Sequence, residues 1–166
     1  MVIAVDVYYK DQIAKAVGVL FEWEDFTVSE KITENLNNIE EYIPGEFYKR
    51  ELPCILKVLE KVDLNKLEAI VIDGYVYVNN DLIHGLGGIL WTQIGGKIPV
   101  IGVAKTSFYA NQETVVKIKR GQSNNPLYIS SIGTEVEQAA QLIQQMKGNY
   151  RLPDILKALD HMTKHD

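Results

Sequence analysis

The chain has 166 residues, 46% hydrophobic and 23% charged, with a net charge of −5. This composition suits one globular domain across 1–166, and its longest apolar runs fall short of the ~18 residues a membrane span requires. One cysteine and three histidines exclude a disulfide framework, a cysteine zinc site and a His-rich metal site. A divalent metal would have to sit on carboxylates, which favours magnesium, with manganese as the alternative. The N-terminal MVIAVDVYYK has no basic n-region or cleavage pattern, so a cytoplasmic protein is expected.

Residues 2–9 are apolar and β-branched and read as a strand. Two more strands are expected at 16–23 and 26–33, with Glu24-Asp25 as the hairpin turn and 34–45 as a loop. Helical spacing begins at Pro53, a residue suited to a first helical turn, and runs through Cys54, Ile55, Val58, Leu59 and Val62. The continuous apolar runs 68–73 and 98–104 read as buried parallel strands. Between them 82–94 has helical period and carries Gly85, Gly87 and Gly88. Weaker strands are expected at 113–119 and 126–131, and helices at 134–147 and from Pro153 towards Met162. An antiparallel opening followed by parallel units predicts an α/β fold, a mixed sheet with helices on both faces. That is the ribonuclease-H-like layout, although other α/β folds share the pattern.

Three carboxylates stand where burial makes them costly or where sheets bind ligands. Asp6 shares a strand face with Val2, Ala4 and Tyr8, where an unpaired carboxylate is expensive. Asp73 ends an apolar run and precedes Gly74, at the strand end where open α/β sheets bind ligands. Glu51 precedes the first expected helix. Each also has an ordinary structural explanation: a loop-bonded strand end, an Asp-Gly turn and a helix cap. Together they form an acidic triad able to hold metal for phosphodiester cleavage. HGLGG at 84–88 lacks dinucleotide-site spacing, and its glycines suit close helix–sheet packing. His84 reads as structural or surface. Lys117, Lys119 and Arg120 read as a solvated edge, with a phosphate patch as the alternative.

The segment YIPGEFYKRELP (42–53) resembles the signature of the endonuclease V family of deoxyinosine-specific endonucleases. VDVYY (5–9), VIDGY (71–75), PVIGVAK (99–105) and YRLP (150–153) agree with that family in order. The resemblance implies a ribonuclease-H-like fold and magnesium-dependent cleavage 3′ to inosine in nucleic acid, in DNA or in RNA; a monomer is expected. It implies that Asp6, Glu51 and Asp73 are the metal-binding catalytic carboxylates and that Lys105 faces the cleaved backbone. Tyr42, Ile43 and Pro44 would form a strand-separating wedge. Gly45, Phe47 and Gly74 would line a pocket for the flipped base, with Ala104 and Phe108 near the lysine. The chain departs from the family at Thr134, where a histidine is usual; at 106–125, which is short; at Glu41, where a proline is usual; and at Tyr75, where histidine or asparagine is common. Glu135 could replace the missing histidine, while Thr134 and Glu137 have capping-box spacing. Two alternatives stay open: a binding homologue without efficient turnover, and a nuclease of the same fold with another substrate.

Overall fold

The computed structural model describes residues 1–23, 28–37 and 47–165, with the side chain of Phe47 not described. The Glu24-Asp25 turn, the wedge residues Tyr42, Ile43 and Pro44, and Gly45 lie outside the described residues. Four α-helices, two short 3-10 turns (Leu64–Lys66 and Tyr109–Thr114) and seven strands are described. The strands are β1 (Val2–Lys10), β2 (Ile13–Phe21), β3 (Val28–Leu36), β4 (Ala69–Asp73), β5 (Val100–Ala104), β6 (Val116–Ile118) and β7 (Leu127–Ile132). The helices are α1 (Phe47–Leu59), α2 (Leu86–Gln93), α3 (Val136–Gln145) and α4 (Asp154–Lys164).

The strands form one sheet in the order β3-β2-β1-β4-β5-β7-β6. β1, β4 and β5 run parallel, and all other neighbours pair antiparallel. This is the α/β mixed sheet that the sequence implies. The central strands β4 and β5 are apolar on both faces because helices cover both. Period 2 separates the two layers. Val2, Ala4, Val71 and Val103 meet α3 and α4, whereas Ile3, Val5, Ile70 and Ile72 meet α1 and α2. The outer strand β3 keeps Glu30 and Lys31 in solvent, a charged edge that discourages further strand pairing.

Several local expectations are corrected. Helix α1 begins at Phe47, which puts Pro53 inside it. The upstream turn is helical because Tyr48 and Leu52 already pack on the core, so the apolar stripe starts before the proline. Residues 82–85 are not helical, and α2 starts at Leu86. Helix α3 forms no capping box: Glu135 is its N-cap residue without a side-chain cap bond, and the Thr134 hydroxyl lies 3.3 Å from Gln138 Oε1. Arg120 is neither solvated nor phosphate-facing. It is buried and donates to the carbonyls of Met146, Gly148, Tyr150 and Arg151, which pins the α3–α4 connection. The glycines of 84–88 do serve close packing. A Cβ on Gly87 would fall 2.8 Å from Val76 Cγ2, and one on Gly88 would fall 2.6 Å from the His84 ring.

Candidate active site

Register and parity assemble the site. Parallel pairing of β1 with β4 ends at Val5↔Ile72, so Asp6 and Asp73 follow side by side at the carboxyl ends of neighbouring strands. Asp6 continues the face of Val2 and Ala4, Asp73 that of Ala69 and Val71, and Lys105 that of Ile101 and Val103. All three therefore stand on the face covered by α4. Asp160 on α4 completes the group. The Lys105 ammonium lies 3.8 Å from Asp73 Oδ2 and 3.9 Å from Asp160 Oδ1. Lys164, one turn along α4, reaches Asp160 Oδ2 at 3.1 Å. Asp6, Asp73, Lys105 and Asp160 share a small cleft floored by Val71 and Leu156.

Glu51 enters from the other layer, on the first turns of α1. It is 8% exposed and lies within electrostatic reach of Asp6 and Asp73. Burial, then the charges of Asp6 and Asp73, push its pKa up to about 8, against the opposing influence of Tyr9 and Arg50. The Tyr9 phenol lies beside Glu51, and its buried hydroxyl completes no hydrogen bond of normal geometry. Arg50 stacks over the Tyr9 ring at 3.5 Å, which places a cation behind the carboxylate. Burial and the Asp73 charge raise Asp6 to about 6, opposed by the Val7 N–H, which donates to Asp6 Oδ1 at 2.9 Å, and by Lys105. Asp73 is raised too, by burial foremost, with Lys105 opposing. Burial and Glu51 push the Cys54 thiol up to about 11, so it is a poor nucleophile.

These groups fit a hard divalent cation in chemistry. All the acidic donors are oxygens, and burial followed by mutual repulsion raises the Asp6 and Glu51 carboxyls, a demand for positive charge that Lys105 and Lys164 meet in part. Among the described residues no three acidic, histidine or cysteine side chains close into a preassembled metal cage.

A second cavity of about 490 Å³ adjoins the acidic group and shares Asp73 and Lys105 with it. Tyr48, Gly74, Tyr75, Tyr77, Ala104 and Phe108 are among its lining residues. Gly74, expected at a base pocket, and Ala104 and Phe108, expected near Lys105, line this cavity together with Lys105. Gly74 has φ +142°, open to glycine and strained for other residues. Its carbonyl passes so close over β5 that a Cβ on Gly102 would fall 2.5 Å from the oxygen and 2.7 Å from Ser130 Oγ. Ser130 Oγ in turn accepts from the Val76 N–H at 3.0 Å. The Tyr75 hydroxyl donates to the Thr106 carbonyl, which ties the two loops bounding the cavity. Arg151 of the YRLP segment donates to the Lys105 carbonyl and, at 2.8 Å, to that of Pro126. It thereby anchors the backbone that carries the site lysine.

Asp160 is the site residue that sequence reading missed. The signal that could have found it is an acid within the expected helix after YRLP, on the same helix as Lys164 four residues on. Glu135 is not its equivalent. β7 runs antiparallel to β5, with Val100 opposite Ile132, so the start of α3 lies at the far end of the sheet from Lys105.

A family model described as Endonuclease V matches residues 1–161. An endonuclease V of Saccharolobus islandicus is 30% identical over 175 residues, covering 96% of this chain and 79% of the relative. One from Sulfolobus acidocaldarius is 26% identical over 174 residues, with the same shares. Among solved structures, endonuclease V from Bacillus subtilis superposes with a TM-score of 0.82 at 19% identity, covering 98% of this chain and 78% of that one. Endonuclease V of Ciona intestinalis, in complex with a 24mer DNA containing an inosine followed by a ribo-adenosine, gives 0.78 at 15% identity, covering 98% and 84%. These structural likenesses bear on the fold, which they share with this chain.

Proposed function

The chain belongs to the endonuclease V family, and from that premise we propose that it hydrolyses a phosphodiester bond 3′ to inosine in nucleic acid, with magnesium as cofactor. The observation that carries this reading is the junction of an acidic group with a base-sized cavity. Asp73 and Lys105 belong to both. A base seated among Tyr75, Tyr77 and Phe108 would leave its own strand at the carboxylates.

The cavity suits a planar, flipped base. Aromatic rings give it stacking faces, and the glycine backbone at Gly74 lets N–H and C=O groups approach a base edge. Extruding a base costs a few kcal/mol, least for a weakly paired one such as inosine. Asp6, Glu51 and Asp73 would hold the metal, with Asp160 beside them. A metal so held lowers the pKa of bound water and offsets charge on the phosphate. Lys105 places a fixed positive charge where the phosphate gains negative charge as the water oxygen bonds to phosphorus and the opposite P–O bond breaks. Arg50, stacked over Tyr9, places positive charge near Glu51. Arg151 holds the Lys105 backbone.

The test is incubation with end-labelled inosine-containing and adenosine-containing strands, as DNA and as RNA, with and without magnesium. One magnesium-dependent product from inosine strands alone is the expected result. Binding of the inosine strand without cleavage would instead identify a binding homologue. Thr134 at the position where the family has a histidine, and the short 106–125 segment, favour this second reading.

A further inference from the structure

Tyr109 is 94% exposed, the highest value among the exposed large hydrophobic residues. It directly follows Phe108, which lines the cavity and is itself 45% exposed. Among the described residues its ring meets no other ring, and its hydroxyl has no hydrogen-bond partner. Exposed single apolar residues are common and usually mean nothing. This one is distinguished by its mounting. The turn that carries it, Tyr109–Thr114, is tied internally: Gln112 Nε2 donates to the Phe108 carbonyl at 2.9 Å and Thr114 Oγ1 to the Asn111 carbonyl at 2.7 Å. It is also tied to the opposite wall of the cavity. Buried Asn111 donates to the Tyr77 carbonyl at 2.8 Å, and the Glu113 N–H donates to Asn80 Oδ1 at 3.0 Å.

That opposite wall is a tight hairpin. Val78 N–H donates to the Ile83 carbonyl at 2.9 Å, and Asn79 Oδ1 accepts from the Asp81 and Ile83 N–H groups. Two elements braced against each other thus present a bare aromatic ring at the lip of the base-sized cavity. The run Thr106–Gln112 carries no charge, and Lys105 precedes it. No carboxylate of that run would repel a phosphate backbone crossing it.

We propose that Tyr109 is a stacking platform for the nucleobase next to the one seated in the cavity, so that the protein reads a single-stranded dinucleotide step rather than an isolated base. The inference rests on the proposed function, since it takes the cavity to hold a base. A Tyr side chain is flat, has few rotatable bonds and loses little entropy on ordering, as a platform requires. Stacking is indifferent to base identity, because every base has a π face. The platform therefore adds grip on the strand and leaves base selection to the cavity.

The test uses the full chain, with calcium in place of magnesium, and fluorescein-labelled single strands read by anisotropy. One strand carries a deoxyinosine and one carries deoxyadenosine there. Two more carry the deoxyinosine with an abasic residue on its 5′ or its 3′ side. Tyr109→Ala is expected to weaken binding of the first strand about tenfold, within the ~5–150-fold worth of one base–aromatic stack. Tyr109→Phe should stay within about twofold of wild type. The loss should vanish on one of the two abasic strands, because the partner base is then missing. Unchanged binding by Tyr109→Ala, or an equal loss on both abasic strands, overturns the platform. Wild-type protein that binds inosine and adenosine strands alike overturns the proposed function instead. A circular-dichroism melt of each variant checks that folding is intact.

Discussion

The ammonium of Lys105 lies 3.9 Å from Asp160 Oδ1 and 3.8 Å from Asp73 Oδ2, so one cation spans acids from a strand end and from the last helix. This triangle links the sheet, which supplies Asp6 and Asp73, to α4, whose first turn follows the YRLP segment. It gives Asp160 a place in the acidic group and assigns Lys105 two tasks. The lysine compensates carboxylate repulsion in the resting chain and, under the proposed function, would meet phosphate charge during cleavage.

Asp160→Asn should therefore reduce magnesium-dependent cleavage on the order of 10²-fold, the usual scale for losing one electrostatic contributor in an active site. Stability should change little, since the residue is partly exposed and such substitutions rarely exceed ~0.5 kcal/mol. Parallel cleavage assays and thermal melts check this, and full activity in the variant would remove Asp160 from the site.

Lys105→Ala should lower the cleavage rate more than the affinity, because its charge matters most where negative charge develops. Single-turnover rates beside equilibrium binding of an inosine strand measure the two effects separately. Equal losses would make Lys105 an ordinary phosphate contact.

The acidic group makes stability depend on pH with a definite sign. Glu51 rises from 4.5 to about 8 on folding and Asp6 from 3.8 to about 6. The folded chain thus keeps protons that the unfolded chain has released, and stability falls as pH rises through those windows. Their contribution is fully present below about 4 and is lost once pH passes about 8. Melting in EDTA from pH 4 to pH 9 should show this decline, and Glu51→Gln should flatten its upper part. Magnesium should restore stability to the wild type at pH 8 and do so less in Glu51→Gln, because the cation binds the deprotonated carboxylate.

Gly102→Ala should disturb the cavity from behind. A Cβ there would sit 2.5 Å from the Gly74 carbonyl oxygen, which is backbone and cannot swing away. The expected cost is about 1–3 kcal/mol of stability, as for other overpacked sites. Selectivity for inosine should fall as well, because Gly74 is displaced where it lines the cavity. A variant that melts normally and retains selectivity would show that β5 and the Gly74 turn can part without consequence.

Amino-acid order alone disclosed the local rules. Apolar runs at Ala69–Asp73 and Val100–Ala104 announce central parallel strands, because only strands covered on both faces dispense with polar positions. Period 2 also places Asp6 on the Val2–Ala4 face, the order of strands and helices implied the α/β mixed sheet, and strand-end and helix-start positions singled out Asp73 and Glu51, to which the motif resemblance added Lys105. What the sequence could not convey depends on register and distance. Asp6 and Asp73 become neighbours only because β1 and β4 pair in parallel with Val5 opposite Ile72. Asp160 carries no mark in the sequence beyond its place in the last helix; the packing of α4 turns it towards Lys105. Arg120 looked solvated because its neighbours Lys117 and Lys119 are, yet it alternates with them onto the buried side and satisfies four carbonyls there. Glu135 fails as a site acid for the converse reason: β7 reverses direction against β5 and delivers it to the other end of the sheet. Local patterning follows from side-chain chemistry and backbone period, which any stretch of chain displays. Which charges meet across the fold is set by strand direction and helix docking, which no single stretch contains.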